Sequence, residues 1–259
     1  MIGEEHAVSE VVTALRAAGC VFAEDEAQLL MSAAGSPAEL AESVARRVTG
    51  EPLEYILGWA EFCGLRIAVA TGVFVPRRRT EFLAQQAISL TEGASLVVDL
   101  CCGTGAIGAA VAAGSEAVVY AADIDPVAVA CARRNLPADR VFQGDLFHPL
   151  PRSLTGRVDV LVVNAPYVPT AAIALMPPEA RLYEARLALD GGDDGLDVHR
   201  RVSASARRWL APGGHLLIET SRPQSPQTAK AMTDAGLRAH VTRSEELDGT
   251  VVIGRAPGH

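Results

Sequence analysis

Leu96-Val97-Val98-Asp99-Leu100-Cys101-Cys102-Gly103-Thr104-Gly105-Ala106-Ile107-Gly108 joins an apolar run to a glycine turn and then to an alanine-rich stretch, and its reading decides the fold. The succession predicts a buried strand that enters a helix through a nucleotide-cofactor loop. Gly103, Gly105 and Gly108 satisfy G-x-G-x-x-G, and Asp123 follows Gly103 by twenty residues, at the end of Val118-Val119-Tyr120-Ala121-Ala122-Asp123. Asp99 separates the possible cofactors. A carboxylate ending the strand beside the loop opposes a pyrophosphate and suits a cation. S-adenosylmethionine carries a sulfonium and an ammonium and has no phosphate. Asp123 is then expected at the ribose hydroxyls, and Asp145, in Gly144-Asp145-Leu146, at the adenine amino group. Taken singly, each carboxylate could instead cap a helix or a turn.

Outward from this loop, strands and helices alternate to the end of the chain, which predicts a parallel sheet covered on both faces. Strands are expected over 96–101, 118–123, 140–143, 158–163 and 214–219, with an antiparallel pair near 237–243 and 250–255. The expected fold is α/β, a doubly wound seven-stranded Rossmann-like sheet of the class I S-adenosylmethionine-dependent methyltransferase type. Residues 1–50 read as a small helical domain. Val8, Val11, Val12 and Leu15 share one helix face, a second helix covers Glu24 to Ala34, and Ser36-Pro37-Ala38-Glu39 has capping-box spacing for a third. Residues 51–78 read as a linking β-hairpin drawn from Tyr55-Ile56-Leu57-Gly58, Glu61-Phe62-Cys63-Gly64 and Leu65 to Val69. Residues 79–259 form the catalytic domain.

Asn164-Ala165-Pro166-Tyr167 follows directly on the strand Val158 to Val163. An Asn side-chain oxygen and the next backbone carbonyl are two acceptors, which match the two N–H bonds of a planar NH2 group. Pro166 stiffens the turn and Tyr167 offers a ring face for stacking. Standing alone, the tetrapeptide would read as an ordinary strand exit. Beside the cofactor loop it reads as the acceptor clamp.

Composition narrows the classes. The 259 residues carry a net charge of -8, without the basic face that nucleic-acid binding calls for. No stretch approaches roughly 18 uninterrupted apolar residues. The acidic start Met1-Ile2-Gly3-Glu4-Glu5-His6 is unlike a signal peptide, so a cytoplasmic protein is expected. Cys20, Cys63, Cys101, Cys102 and Cys131 form no C-x-x-C pair, and the six histidines form no H-E-x-x-H, so neither a metal site nor a disulfide framework is expected. Nothing in the sequence fixes an oligomeric state.

From about Gly50 onward the chain resembles the HemK/PrmC-type protein-(glutamine-N5) methyltransferases. The likeness rests on Glu51-Pro52-Leu53-Glu54-Tyr55-Ile56-Leu57-Gly58, Glu61-Phe62-Cys63-Gly64-Leu65, the cofactor loop, the Asn164 clamp and the segment from Glu184 to Leu196. It implies methyl transfer from S-adenosylmethionine, leaving S-adenosylhomocysteine, to a glutamine side-chain amide in a protein, with a peptide chain release factor as the implied partner. The implied cofactor contacts are Asp99, Cys101, Gly103, Gly105, Ile107, Asp123, Ile124, Asp145, Leu146 and Asn164, and the implied catalytic group is Asn164, Ala165, Pro166 and Tyr167. The chain departs from the family pattern where Ala165 replaces a clamp proline, where Cys101-Cys102 replaces Gly-Thr, and where Arg78 and Arg79 replace a proline and an acidic residue. The helical part is also shorter than the family's. These departures suggest a related subfamily. A flipped adenine presents the same two hydrogens to the clamp, and a cofactor-binding protein without transfer activity would keep the same loop, so both stand as alternatives.

Overall fold

The computed structural model describes residues 2–258, with side chains from residue 7; the side chains of the acidic start lie outside the described residues. Three helices come first: α1 (Ile2–Ala17), α2 (Ala23–Ala33) and α3 (Pro37–Val48). Val11, Leu15, Ala23, Ala27 and Leu30 close a small core of their own. The Ser36 hydroxyl accepts the Glu39 N–H at 3.3 Å and starts α3 as its spacing predicts.

The linker corrects one expectation. Leu53–Leu57 is a short helix, α4, instead of the first arm of a hairpin. The run Tyr55-Ile56-Leu57, three apolar residues in a row, fits a strand or a helix equally well. The Pro52 carbonyl tips the balance by accepting the Tyr55 N–H at 3.1 Å, and Gly58 ends the turn in the left-handed region at φ +77°. Leu53, Ile56 and Leu57 then pack on the helical core. The hairpin proper is β1 (Trp59–Phe62) paired antiparallel with β2 (Leu65–Ala68). Asn135 clips it to the cofactor loop, accepting the Ala68 N–H at 2.8 Å and donating to the carbonyls of Ala68 and Thr104.

Next come α5 (Glu81–Ser89), β3 (Leu96–Leu100), α6 (Ala106–Gly114), β4 (Val118–Asp123), α7 (Pro126–Ala132), β5 (Val141–Gln143), β6 (Val158–Val163), α8 (Pro178–Tyr183), α9 (Asp197–Trp209), β7 (Leu210–Glu219), α10 (Ser225–Asp234), β8 (Arg238–Ser244) and β9 (Gly249–Arg255). The seven-stranded sheet has the order β5-β4-β3-β6-β7-β9-β8, parallel except where β9 pairs with β7 and β8. The central strands β3 and β6 are buried on both faces, hence apolar runs broken only by Asp99 and Asp159. Val97, Val160 and Val162 face a core with Leu83 and Val111, while Val98, Leu100, Leu161 and Val163 face one with Val202, Trp209 and Met232. β7 begins earlier than its apolar run suggests, because Leu210 already pairs with Val158 before a register shift.

The order reverses between β3 and β6, so the crevice beyond those two strands is the ligand position in a sheet of this kind. Pairing of Leu100 with Val163 sets the two following residues, Cys101 and Asn164, side by side at its edge. Among the described residues, no helix is long and apolar enough to cross a membrane.

Candidate active site

One cleft runs over the ends of the central strands. Cys101, Gly103, Ile107, Asp123, Ile124, Asp145, Leu146, Asn164, Ala165, Pro166 and Tyr167 all line it. The sequence-predicted group is thus brought together with two exceptions, Asp99 and Gly105.

Asp99 is fully buried behind the loop, where its Oδ2 accepts the Gly108 N–H at 2.9 Å. It does not line the cleft, and in this place it ties strand to helix. Burial pushes its carboxyl up to about 7, and Oδ1 has no hydrogen-bond partner among the described residues. Gly108 permits this contact, since a Cβ there would stand 3.2 Å from Asp99 Oδ2 and 3.1 Å from Val119 Cγ1. Gly105 likewise faces away from the cleft, toward Ala132 and Leu136, so its role is to turn the chain.

Asp123 organises the loop from the neighbouring strand. Oδ2 accepts the Gly103 N–H at 2.8 Å and Oδ1 accepts the Asp125 N–H at 2.9 Å. Burial raises its carboxyl above the usual range, against those two backbone donors. Asp145 Oδ2 accepts from Arg201 Nη2 at 2.5 Å. The two arginines of the lining, Arg79 and Arg201, each face a carboxylate. A cleft lined by Asp123, Asp125 and Asp145 with its cations already engaged suits a sulfonium nucleoside and disfavours a pyrophosphate. Burial, with Asp123 as second cause, holds the Cys101 thiol in its protonated form, so it packs as a neutral group.

The clamp is fixed from beneath by residues the sequence reading passed over. Asn164 Nδ2 donates to Thr80 Oγ1 at 3.4 Å, which leaves Oδ1 without a partner among the described residues. The Ala165 carbonyl accepts no hydrogen bond among them either. Tyr167 donates its hydroxyl to Glu219 Oε1 at 3.3 Å, and Gln224 Nε2 holds the Tyr167 carbonyl at 2.9 Å. His199 lies under the Tyr167 ring with centroids 6.4 Å apart. Burial lowers that imidazole to about 4, so it stays neutral, with Nδ1 against Thr228 Oγ1 at 3.0 Å. Burial pushes the Tyr167 phenol up to about 12. Burial also raises Glu219, opposed first by the Thr80 hydroxyl and then by Arg79 and Tyr167.

The three arginines divide. Arg77 pairs with buried Glu184, Arg78 is exposed, and Arg79 lines the cleft with Nε 3.7 Å from Glu219 Oε1. One signal for the missed residues was visible. Leu216-Leu217-Ile218-Glu219 is another apolar strand ending in a carboxylate, like the strand that ends at Asp123.

Comparison with known proteins adds to this geometry. The Methyltransferase small domain profile matches residues 65–192. The release factor glutamine methyltransferase of Geobacter sulfurreducens is 43% identical, over 71% of this chain and 66% of that one, so this chain spans just under two thirds of that relative's length. The enzyme of the same name from Streptomyces coelicolor is 40% identical, over 74% of this chain and 71% of its own. The 4-amino-L-phenylalanine/4-methylamino-L-phenylalanine methyltransferase of Streptomyces pristinaespiralis is 37% identical, over 77% and 71%. The solved structure of a methyltransferase from Pyrococcus furiosus has the same fold, with a TM-score of 0.58 at 16% identity over 84% of this chain and 99% of that one.

Proposed function

Because this chain belongs to the family of release factor glutamine methyltransferases, we propose that its cleft methylates the side-chain amide nitrogen of a glutamine in a protein, a peptide chain release factor, with S-adenosylmethionine as donor. One observation carries the assignment. The Asn164 amide nitrogen is engaged by Thr80, so its oxygen and the neighbouring Ala165 carbonyl are left as a pair of acceptors at the cleft wall.

Gly103, Asp123, Ile124, Asp145 and Leu146 hold the cofactor in this reading, with Cys101 and Ile107 packing beside them. When bound, the cofactor supplies an electrophilic methyl on a sulfonium. An amide nitrogen is a poor nucleophile because its lone pair is delocalised into the carbonyl. Asn164 Oδ1 and the Ala165 carbonyl accept its two N–H bonds, aim it, and stabilise the positive charge that grows on it. Pro166 limits the turn and the Tyr167 ring supports the amide plane. As the N–C bond forms, one amide proton becomes acidic and leaves to solvent. Residues 1–50 serve acceptor recognition, 51–78 link, 79–259 carry the chemistry, and the protein works in the cytoplasm.

An aromatic amine presents the same two hydrogens, and the Streptomyces pristinaespiralis relative is named for such an acceptor. Labelled S-adenosylmethionine incubated with the release factor, with 4-amino-phenylalanine and with DNA separates the acceptors. Label on a release-factor glutamine, located by mass spectrometry, is the expected result. Label only on the amine or on DNA overturns the acceptor assignment. In the same assay Asn164→Ala is expected to lower kcat on the order of 10²- to 10³-fold with cofactor affinity kept. Near-wild-type turnover would remove the clamp from the mechanism.

A further inference from the structure

We propose that Glu184 is a positioning residue that locks together the two arms of chain supporting the acceptor clamp. The inference rests on the methyl-transfer reading above. One arm is the end of the linker. Residues 72–74 line the cleft, and three residues beyond Arg77 comes Thr80, which accepts from Asn164 Nδ2. The other arm follows α8. Residues 187–190 line the cleft, the Leu189 carbonyl accepts the Val168 N–H at 3.0 Å, and the Val168 carbonyl accepts the Gly191 N–H at 2.9 Å. Val168 directly follows Tyr167. A Cβ on Gly191 would stand 2.7 Å from the Pro166 carbonyl oxygen, so this arm lies against the clamp without slack.

Glu184 stands between the arms. Its side chain is 1% exposed, and its Oε1 accepts the Val75 N–H at 3.2 Å and pairs with Arg77. The next residue, Ala185, donates its N–H to the Gly72 carbonyl at 3.3 Å. Tyr55 closes the same junction, its hydroxyl donating to the Val73 carbonyl at 2.7 Å with the Tyr183 carbonyl 3.4 Å away. A buried carboxylate needs its cation and its backbone donor together, because losing either leaves a charge or an N–H unmet away from water. Glu184 meets both only when the two arms stand at one separation. That separation seats Thr80 against Asn164 and Val168 behind Tyr167. Glu184 does not line the cleft, so it acts on the acceptor only through these two supports.

Four variants test the lock. Glu184→Gln keeps an acceptor for Val75 and Arg77 without the charge, and its kcat on the release factor is expected to stay within a few-fold of wild type. Glu184→Ala removes the junction and Arg77→Ala strands a buried charge. Each is expected to lose on the order of 10- to 100-fold in kcat at unchanged KM for S-adenosylmethionine. The double variant Arg77→Ala/Glu184→Gln relieves the stranded charge and recovers to within a few-fold of Glu184→Gln. The Arg77 variants carry the test if Glu184→Ala does not fold. An Arg77→Ala loss that the second substitution leaves in place, a Glu184→Ala kcat within about two-fold of wild type, or an equal loss of cofactor binding overturns the proposal. Hydrogen exchange reads the junction without turnover. In Glu184→Ala the amides of Val75, Val168 and Gly191 are expected to exchange about ten-fold faster or more, with those of α6 unchanged. Acceleration at Val75 alone overturns the lock, since the arms would then move independently. A wild-type protein that labels no glutamine, while Glu184→Ala frees both arms, overturns the acceptor assignment and leaves the lock standing.

Discussion

The loop after β3 and the clamp after β6 lie side by side at one crevice, yet they are built on opposite plans. The loop is made of backbone: Cys101, Gly103 and Gly105 all take left-handed conformations, with φ of +56°, +54° and +75°. Its shape is local, and its carboxylates at Asp99 and Asp123 serve mainly to hold N–H groups of the loop and of the helices that follow. The clamp is made of side chains gathered from Thr80, Asn164, Tyr167, His199, Glu219 and Gln224. A local device depends on a few consecutive residues. A gathered one can be broken from far along the chain.

The largest expected effect breaks the clamp without touching it in sequence. Gly195 stands at φ +79°, and a Cβ there would lie 2.2 Å from the Tyr167 carbonyl oxygen and 2.5 Å from Gln224 Nε2. Gly195→Ala must push the Tyr167 backbone aside, and a misplacement of about 1 Å costs on the order of 10²-fold in rate. Methyl transfer is expected to fall by that factor or more while calorimetry finds cofactor affinity within a few-fold. An equal loss of cofactor binding would mean that loop and clamp are one mechanical unit after all.

A middling effect isolates the loop. Native Asp99 keeps its proton up to about pH 7, whereas the unfolded chain releases it near the ordinary 3.8. Between those values the native state binds more protons, so stability falls as pH rises through the window. Asp99→Asn retains an acceptor for the Gly108 N–H without the buried charge. Its melting temperature is expected to match wild type near pH 4, to gain progressively up to about pH 7, and to run several degrees higher above that. A constant offset at every pH would show that the carboxyl does not titrate there.

This contrast also explains what could be read in advance. The strands from Leu96, Val118 and Val158 were legible because a central parallel strand buried on both faces is apolar along most of its length, whereas the short edge strand from Val141 was legible only from its place in the alternation. The glycine turn and the Asn164 clamp were legible because each is contiguous. The placement of Asp99 was not legible because a residue at a strand end can point into the crevice or back under the following helix, and only the close approach at Gly108 decides. Leu53–Leu57 was misjudged because Pro52 and Gly58, not the run itself, choose its period. Thr80 and His199 had no local signature and Glu219 only its place at a strand end, since their meaning comes from partners 84, 32 and 52 positions away at Asn164 and Tyr167.

The smallest expected effect sharpens the boundary of the gathered site. Arg78 and Arg79 are adjacent, identical in type and both exposed, and sequence gives no ground for treating them differently. Yet Arg79 lines the cleft and faces Glu219 at 3.7 Å with a side chain 47% exposed, while Arg78 lies outside the lining. With the guanidinium half in water and 3.7 Å from the buried carboxylate, the pair contributes on the order of 1 kcal/mol. Arg79→Ala is therefore expected to change kcat/KM by no more than about five-fold. Arg78→Ala should leave kcat/KM within assay error. If the two variants behave alike, Arg79 is surface charge, and Glu219 is held by Thr80 and Tyr167 alone. If Arg79→Ala costs far more, the guanidinium contacts the acceptor itself, and the side chains that grip the substrate begin one residue before the clamp's own support at Thr80.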